Sequence, residues 1–206
     1  MSDTGIVGRN ISSIALVLAT LTVLGRRDGM VVDYAGGYGL LVRMLRDKGV
    51  DAFWYDPFSE NLLARGFEYR GGQAALVTAF ESFEHFMYPI KEVSEMLKIA
   101  PHVLFTTSLI SDPPPQPKDW WYYGLDHGQH LGFFRVRSLK FIAERFGKYL
   151  YTDGVSCHML LDRKIPYWLW LSCKALFLRV PRLASAGLKS KTWSDYLLIS
   201  RNEERG

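Results

Sequence analysis

Apolar positions along this chain follow two rhythms. Short runs that are apolar at nearly every position stand at 30–32, 52–55, 75–79 and 103–105. Between them, apolar residues recur every third or fourth position, as at Leu40, Leu41, Met44 and Leu45, and again at Ile90, Val93, Met96 and Leu97. Continuous runs suit strands covered on both faces, and the wider spacing suits helices that lay one face on them. The order strand, helix, strand therefore predicts an α/β sheet.

Taken in order, 11–24 is an apolar stretch that reads as a helix packed on the sheet, with Asn10 or Ser12 to cap it and Gly25 to end it. It falls short of the roughly 20 residues of a membrane span. It also lacks the basic cluster and small-residue cleavage site of an export signal. Strands are expected at 30–33, 52–55, 67–70, 75–79, 102–107, 149–161 and 193–200, and helices at 40–48, 89–99 and 137–146, with a short one near 59–63.

The stretch 30–57 carries the chemistry. The first strand ends in Asp33, a turn follows with Ala35, Gly36, Gly37 and Gly39, a helix begins, and the second strand ends in Asp56. Glycines let the backbone bend sharply and let a ligand come close. The helix that starts there offers free N–H groups and the positive end of its dipole. Asp56 falls where a carboxylate takes ribose hydroxyls. The pattern reads as a pocket for a nucleoside with an anionic or zwitterionic end. The dinucleotide fingerprint fails because Val42 stands where its third glycine belongs.

The run Asp33-Tyr34-Ala35-Gly36-Gly37-Tyr38-Gly39 resembles motif I of the class I S-adenosylmethionine-dependent methyltransferases, with Ala35 at the first glycine. The segment 76–85, ending Glu81-Ser82-Phe83-Glu84-His85, is similar to the one after strand four of many small-molecule members. A softer likeness joins 120–134 to methyltransferases associated with polysaccharide biosynthesis. The resemblance implies a Rossmann-like, doubly wound, mostly parallel seven-stranded α/β sheet with a C-terminal antiparallel hairpin of 149–161 and 193–200, in a single domain over 1–206. It implies S-adenosyl-L-methionine as cofactor. Asp33 would orient the glycine loop, Ala35, Gly36, Gly37 and Gly39 would pass the methionine end, Asp56 and Pro57 would hold the ribose, and Phe80 and Glu81 would lie over the cofactor. No adenine-binding acid stands out; Glu68 is the only nearby candidate.

The loop 108–135 is stiffened by Pro113, Pro114, Pro115 and Pro117 and leaves the fifth strand at the cofactor edge. It is expected to bind the acceptor, with Trp121, Tyr122 and His127 lining the site beside His85. His130 is the first candidate for the base that takes a hydroxyl proton, with His127 and His85 in reserve. His102, at the far end of its strand, reads as structural. No metal cluster stands out, since Asp126, His127 and His130 lack a third and fourth partner.

Composition adds limits. The chain of 206 residues is 48% apolar and 22% charged, with net charge +4 and pI near 9.0. That excess is too small to call for nucleic acid. Cys157 and Cys173 form no metal-ligand or paired motif, which suits free thiols in a reducing cytoplasm. The segment 163–191 is basic and aromatic with no Asp or Glu. It reads as a helical insertion against the body or a partner subunit in a homodimer, or as a peripheral membrane contact. The expected activity is methyl transfer, at oxygen, to a small-molecule or glycan-type acceptor. The alternatives are a non-catalytic binding protein of the same fold and a nucleotide-dependent oxidoreductase or epimerase.

Overall fold

The structure, a computed structural model, describes residues 4–125 and 130–203. Its centre is a six-stranded sheet of β1 (Val31–Tyr34), β2 (Ala52–Tyr55), β3 (Leu76–Ala79), β4 (Val103–Thr106), β5 (Tyr149–Thr152) and β6 (Cys157–Leu161), in the order β2-β1-β3-β4-β6-β5. The first four strands run parallel, with Val31 beside both Ala52 and Leu76, and Val77 beside Val103. β6 runs antiparallel to β4 and β5.

Successive residues on a strand face opposite ways, and the core divides accordingly. Val31, Leu76, Leu104, Met159 and Leu161 pack with α1 (Ile6–Leu24), α2 (Leu40–Asp47) and α5 (Tyr167–Arg179). Val32, Val77, Val103, Phe105 and Leu160 pack with α3 (Pro89–Ile99) and α4 (Val136–Arg145). Helices thus cover both faces, as the continuous apolar runs require. α6 (Pro181–Ala184) and α7 (Thr192–Glu203) follow α5.

Four expectations are corrected. The sheet has six strands, because 67–70 makes a single parallel bridge, Trp54 to Glu68, between glycines at 66 and 71 whose φ angles are +87° and +117°. The expected strand 149–161 is folded back on itself. Asp153 Oδ1 accepts the N–H groups of Val155, Ser156 and Cys157, and Gly154 takes φ +78°, so the antiparallel hairpin is β5–β6. The segment 193–200 is helix α7, drawn onto α2 by Asp195, which receives both Nε and Nη2 of Arg46 at 2.8 Å. The short helix near 59–63 is a turn in which Asp56 Oδ1 accepts from Phe58 and Ser59 N–H.

α1 starts earlier than the apolar run, at Ile6. Asn10 and Ser12 bond back to Ile6 and Gly8 carbonyls instead of capping it, while Gly25 ends it at φ +63°. At 19 residues it is long and apolar enough to cross a membrane, and its second half is buried against the body from Ile14 onward.

Candidate active site

The carboxyl ends of β1, β2 and β3 form the edge that carries the motif residues. The glycine loop is held from β2. Asp56 Oδ2 accepts the Gly37 N–H at 2.9 Å, the Trp54 indole N–H donates to the Gly37 carbonyl at 2.8 Å, and Gly36 N–H reaches the Tyr55 carbonyl. Gly39 takes φ +85°, and a Cβ there would stand 2.6 Å from Asn61 Oδ1. A Cβ on Gly37 would meet nothing within 4 Å, so that side of the loop is open. The N–H groups of Gly36, Gly37 and Gly39 are used inside the protein. The first turn of α2 is left to offer donors outward.

Asp33 is buried and accepts from the Thr78 hydroxyl at 2.7 Å. Burial pushes its carboxyl up to about 7; the Thr78 bond opposes this and the Asp56 charge adds to it. Asp56 already accepts three backbone N–H groups. A carboxylate has about four acceptor positions, so one remains, on Oδ2.

Ala35 and Glu81 are the two non-glycine residues with positive φ among those described, at +63° and +49°. Ala35 thus adopts the backbone of the glycine it replaces. Glu81 is held by Thr106, whose hydroxyl donates to Oε1 at 2.8 Å and accepts the Glu81 N–H at 2.9 Å. Both residues line two cavities. The smaller, about 310 Å³, is bounded by Asp33, the glycine loop, Leu40, Leu41, Phe80 and one side of α1. The larger, about 810 Å³, is bounded by Tyr34, Asp56, Pro57, Phe58, His85, Tyr88 and Leu131. Strained backbone concentrates where ligands are held, and here it marks the wall that the cavities share.

His85 is exposed at the mouth of the larger cavity. His130 stands beside it, ring centroids 4.9 Å apart, with Nδ1 2.6 Å from the Tyr122 carbonyl. Tyr122 itself is buried, its oxygen accepting the Ser108 N–H at 3.1 Å, so it supports His130 from behind. Burial drives its phenol well above the usual range, with Glu84 adding to the shift. Trp121 is exposed and off the lining of both cavities. Asp126 and His127 lie outside the described residues. Glu68 accepts from Asn61 Nδ2 and the Gly66 N–H, a structural role away from both cavities. His102 is buried at the opposite edge beside Asp162, and burial lowers its pKa.

The sequence reading missed Arg9, Asn10 and Ser13, which wall the smaller cavity from α1. Their spacing of one and three residues on the first turns of the helix was the available signal. It also passed over Glu84, buried beside the two histidines.

The model of the methyltransferase domain family matches residues 9–151, more than half of the chain. The chain belongs to this family. Among solved structures, this methyltransferase-domain protein is similar to an O-methyltransferase family protein from Burkholderia thailandensis, with TM-score 0.56 and 14% identity over 74% of this chain and 56% of that one. It is also similar to magnesium protoporphyrin IX methyltransferase from Synechocystis PCC 6803, solved with bound SAH, at TM-score 0.52 and 16% identity over 78% of this chain and 88% of that one. A third is human N-acetylserotonin methyltransferase, solved with SAM, at TM-score 0.50 and 14% identity over 74% and 52%. The methyltransferase-domain chain matches about half the length of the first and third. At these identities the likeness is one of fold. Comparison with curated protein sequences finds no match.

Proposed function

We propose that this protein transfers a methyl group from S-adenosylmethionine to a hydroxyl oxygen of a small or sugar-like acceptor. The observation that carries the reading is the pair of cavities meeting at Ala35 and Glu81, one against the glycine loop and the other against Asp56. When bound, the cofactor supplies an electrophilic methyl group on a positively charged sulfur. Its amino-acid end suits the smaller cavity, where the first turn of α2 and the Arg9 side of α1 favour a carboxylate and Asp33 favours an amine. One ribose hydroxyl suits the remaining acceptor position of Asp56, and Pro57 and Phe58 offer flat apolar surface to the base.

The acceptor then belongs beside His85 and His130. Methyl transfer is an in-line displacement, so much of the rate comes from holding donor and acceptor in register. The hydroxyl must lose its proton as it attacks. His130 Nδ1 faces a carbonyl, which leaves Nε2 as the atom able to receive that proton.

Calorimetric titration with S-adenosylmethionine and S-adenosylhomocysteine tests the cofactor half. Micromolar binding is expected, weakened at least tenfold by Asp56→Asn and by Arg9→Glu, with circular dichroism checking that each variant is folded. No binding by the folded chain would overturn the reading.

A membrane-peripheral placement is a further part of the proposal. Trp168 and Leu176 of α5 and Trp193 and Tyr196 of α7 are exposed, and the segment 163–191 has bases without acids. Such a surface suits anionic lipid headgroups.

A further inference from the structure

Glu84, His85 and His130 converge beside the larger cavity, with one ligand atom of each within 4.8 Å of the other two. The backbone builds this convergence. The Glu84 carbonyl accepts the N–H groups of Leu131 at 2.7 Å and Gly132 at 3.1 Å, which lays residue 130 against the 83–85 turn. The Tyr122 carbonyl, 2.6 Å from His130 Nδ1, can only accept. Nδ1 therefore carries the proton and Nε2 keeps its lone pair, the arrangement in which imidazole binds a metal. Glu84 is 1% exposed, and its Oε2 has no hydrogen-bond partner among the described residues. A buried carboxylate oxygen left this way costs stability, and a cation offsets that cost.

We propose that Glu84, His85 and His130 form a binding site for a divalent first-row transition cation of the zinc, manganese or iron(II) class. Two imidazoles and a carboxylate on one side of a cation leave positions open for a ligand. Bonds of about 2.0–2.2 Å set ligand atoms roughly 3.5 Å apart, so the three groups close by about an ångström when the cation binds. Magnesium prefers oxygen ligands and fits this set poorly.

The cation's binding does not depend on the methyl-transfer reading; its use in catalysis does. Within that reading, the acceptor hydroxyl takes an open position. Its O–H bond breaks and the proton passes to solvent. The O–CH3 bond forms as the sulfonium S–CH3 bond breaks, leaving a neutral thioether. His130 then serves as ligand, and the cation would lower the pKa of the bound hydroxyl, so that no imidazole base is needed to take its proton.

The full chain, stripped with a chelator, is titrated with Co2+ as an absorbing probe and with Zn2+ by calorimetry. One equivalent of Co2+ is expected to bind with visible d–d absorption, displaced by Zn2+ and untouched by excess Mg2+. His85→Ala and His130→Ala should each weaken uptake roughly tenfold or more. No uptake by the folded wild-type chain, or unchanged uptake in both variants, overturns the site. S-adenosylmethionine titration of the metal-free protein runs in parallel. Cofactor binding without cation uptake rejects the cation site alone, whereas cation uptake without cofactor binding rejects the methyl-transfer reading and leaves the site standing.

Discussion

Replacing Asp33 with Asn isolates the cost of burying one carboxyl group under the cofactor edge. Asp33 is buried with one hydrogen bond from a side chain, the Thr78 hydroxyl. Its carboxyl rises from 3.8 to about 7, through burial first, with the Asp56 charge adding. For an acid whose folded pKa is raised, the folded state holds its proton while the unfolded state releases it. Stability therefore falls as pH climbs from about 4 to about 7 and stays lowered above that. At about 1.4 kcal/mol per pH unit, the penalty is about 2 kcal/mol at pH 5 and about 4 kcal/mol at pH 8. Asparagine keeps an oxygen to accept from Thr78 and carries no charge. Its buried amide has a cost of its own, equal at both pH values, so the informative quantity is the change with pH. Urea unfolding of wild type and Asp33→Asn should show the variant gaining about 3 kcal/mol relative to wild type on going from pH 5 to pH 8. An identical difference at the two pH values would refute the argument, because Asp33 would then be ionised throughout or hydrated. The same variant should bind S-adenosylmethionine more weakly, since a carboxylate is lost beside the cavity proposed for the cofactor's ammonium group.

Gly39→Ala should destabilise by about 2 kcal/mol or more, read by thermal unfolding, because the new Cβ meets Asn61 at 2.6 Å on a backbone with φ +85°. Ala35→Gly should fold at least as well as wild type and Ala35→Val should lose more than about 2 kcal/mol, since φ +63° suits glycine and excludes a β-branched residue. Asp195→Ala should cost about 3 kcal/mol in denaturant unfolding, because the buried Arg46 guanidinium loses its two 2.8 Å bonds and keeps only the more exposed Asp51 carboxylate at 3.1 Å. Burial works to raise the Asp195 pKa, but the Arg46 and Arg43 bonds prevail and hold it low. That contribution is present at neutral pH and is lost as pH falls through the lowered pKa. Co-sedimentation with vesicles containing anionic lipid should retain wild type and release Trp168→Glu, with no retention on neutral vesicles; equal retention of both chains would remove the membrane placement.

Much of the cofactor edge was legible because its signals are local. Asp33, the glycine turn and Asp56 lie within one strand–turn–helix–strand unit, and each residue type states its own backbone or charge requirement. The acceptor side was less legible. His85, His130 and Glu84 meet through carbonyls at 84 and 122 that no spacing reveals. Trp121 and Tyr122 read alike in sequence, yet one is exposed and the other is buried behind His130. The walls given by Arg9, Asn10 and Ser13 come from a helix distant in sequence from the glycine loop; their spacing puts them on neighbouring turns, and packing brings those turns to the cavity.

By itself the sequence determined the layered α/β arrangement, the parallel core of β1 to β4 and the position of the ligand edge. Continuous apolar runs and amphipathic spacing admit few other assemblies. Tertiary structure decided the rest. The Asp153-Gly154 turn split one apparent strand into β5 and β6, because a carboxylate that accepts three N–H groups stabilises reversal more than extension. The segment 193–200 reads as a strand by its apolar content, but Asp195 is drawn to the buried Arg46 and the chain coils to deliver it. Local propensity is worth tenths of a kcal/mol per residue, and a buried ion pair or a carboxylate-bound turn outweighs it wherever the fold brings the partners together.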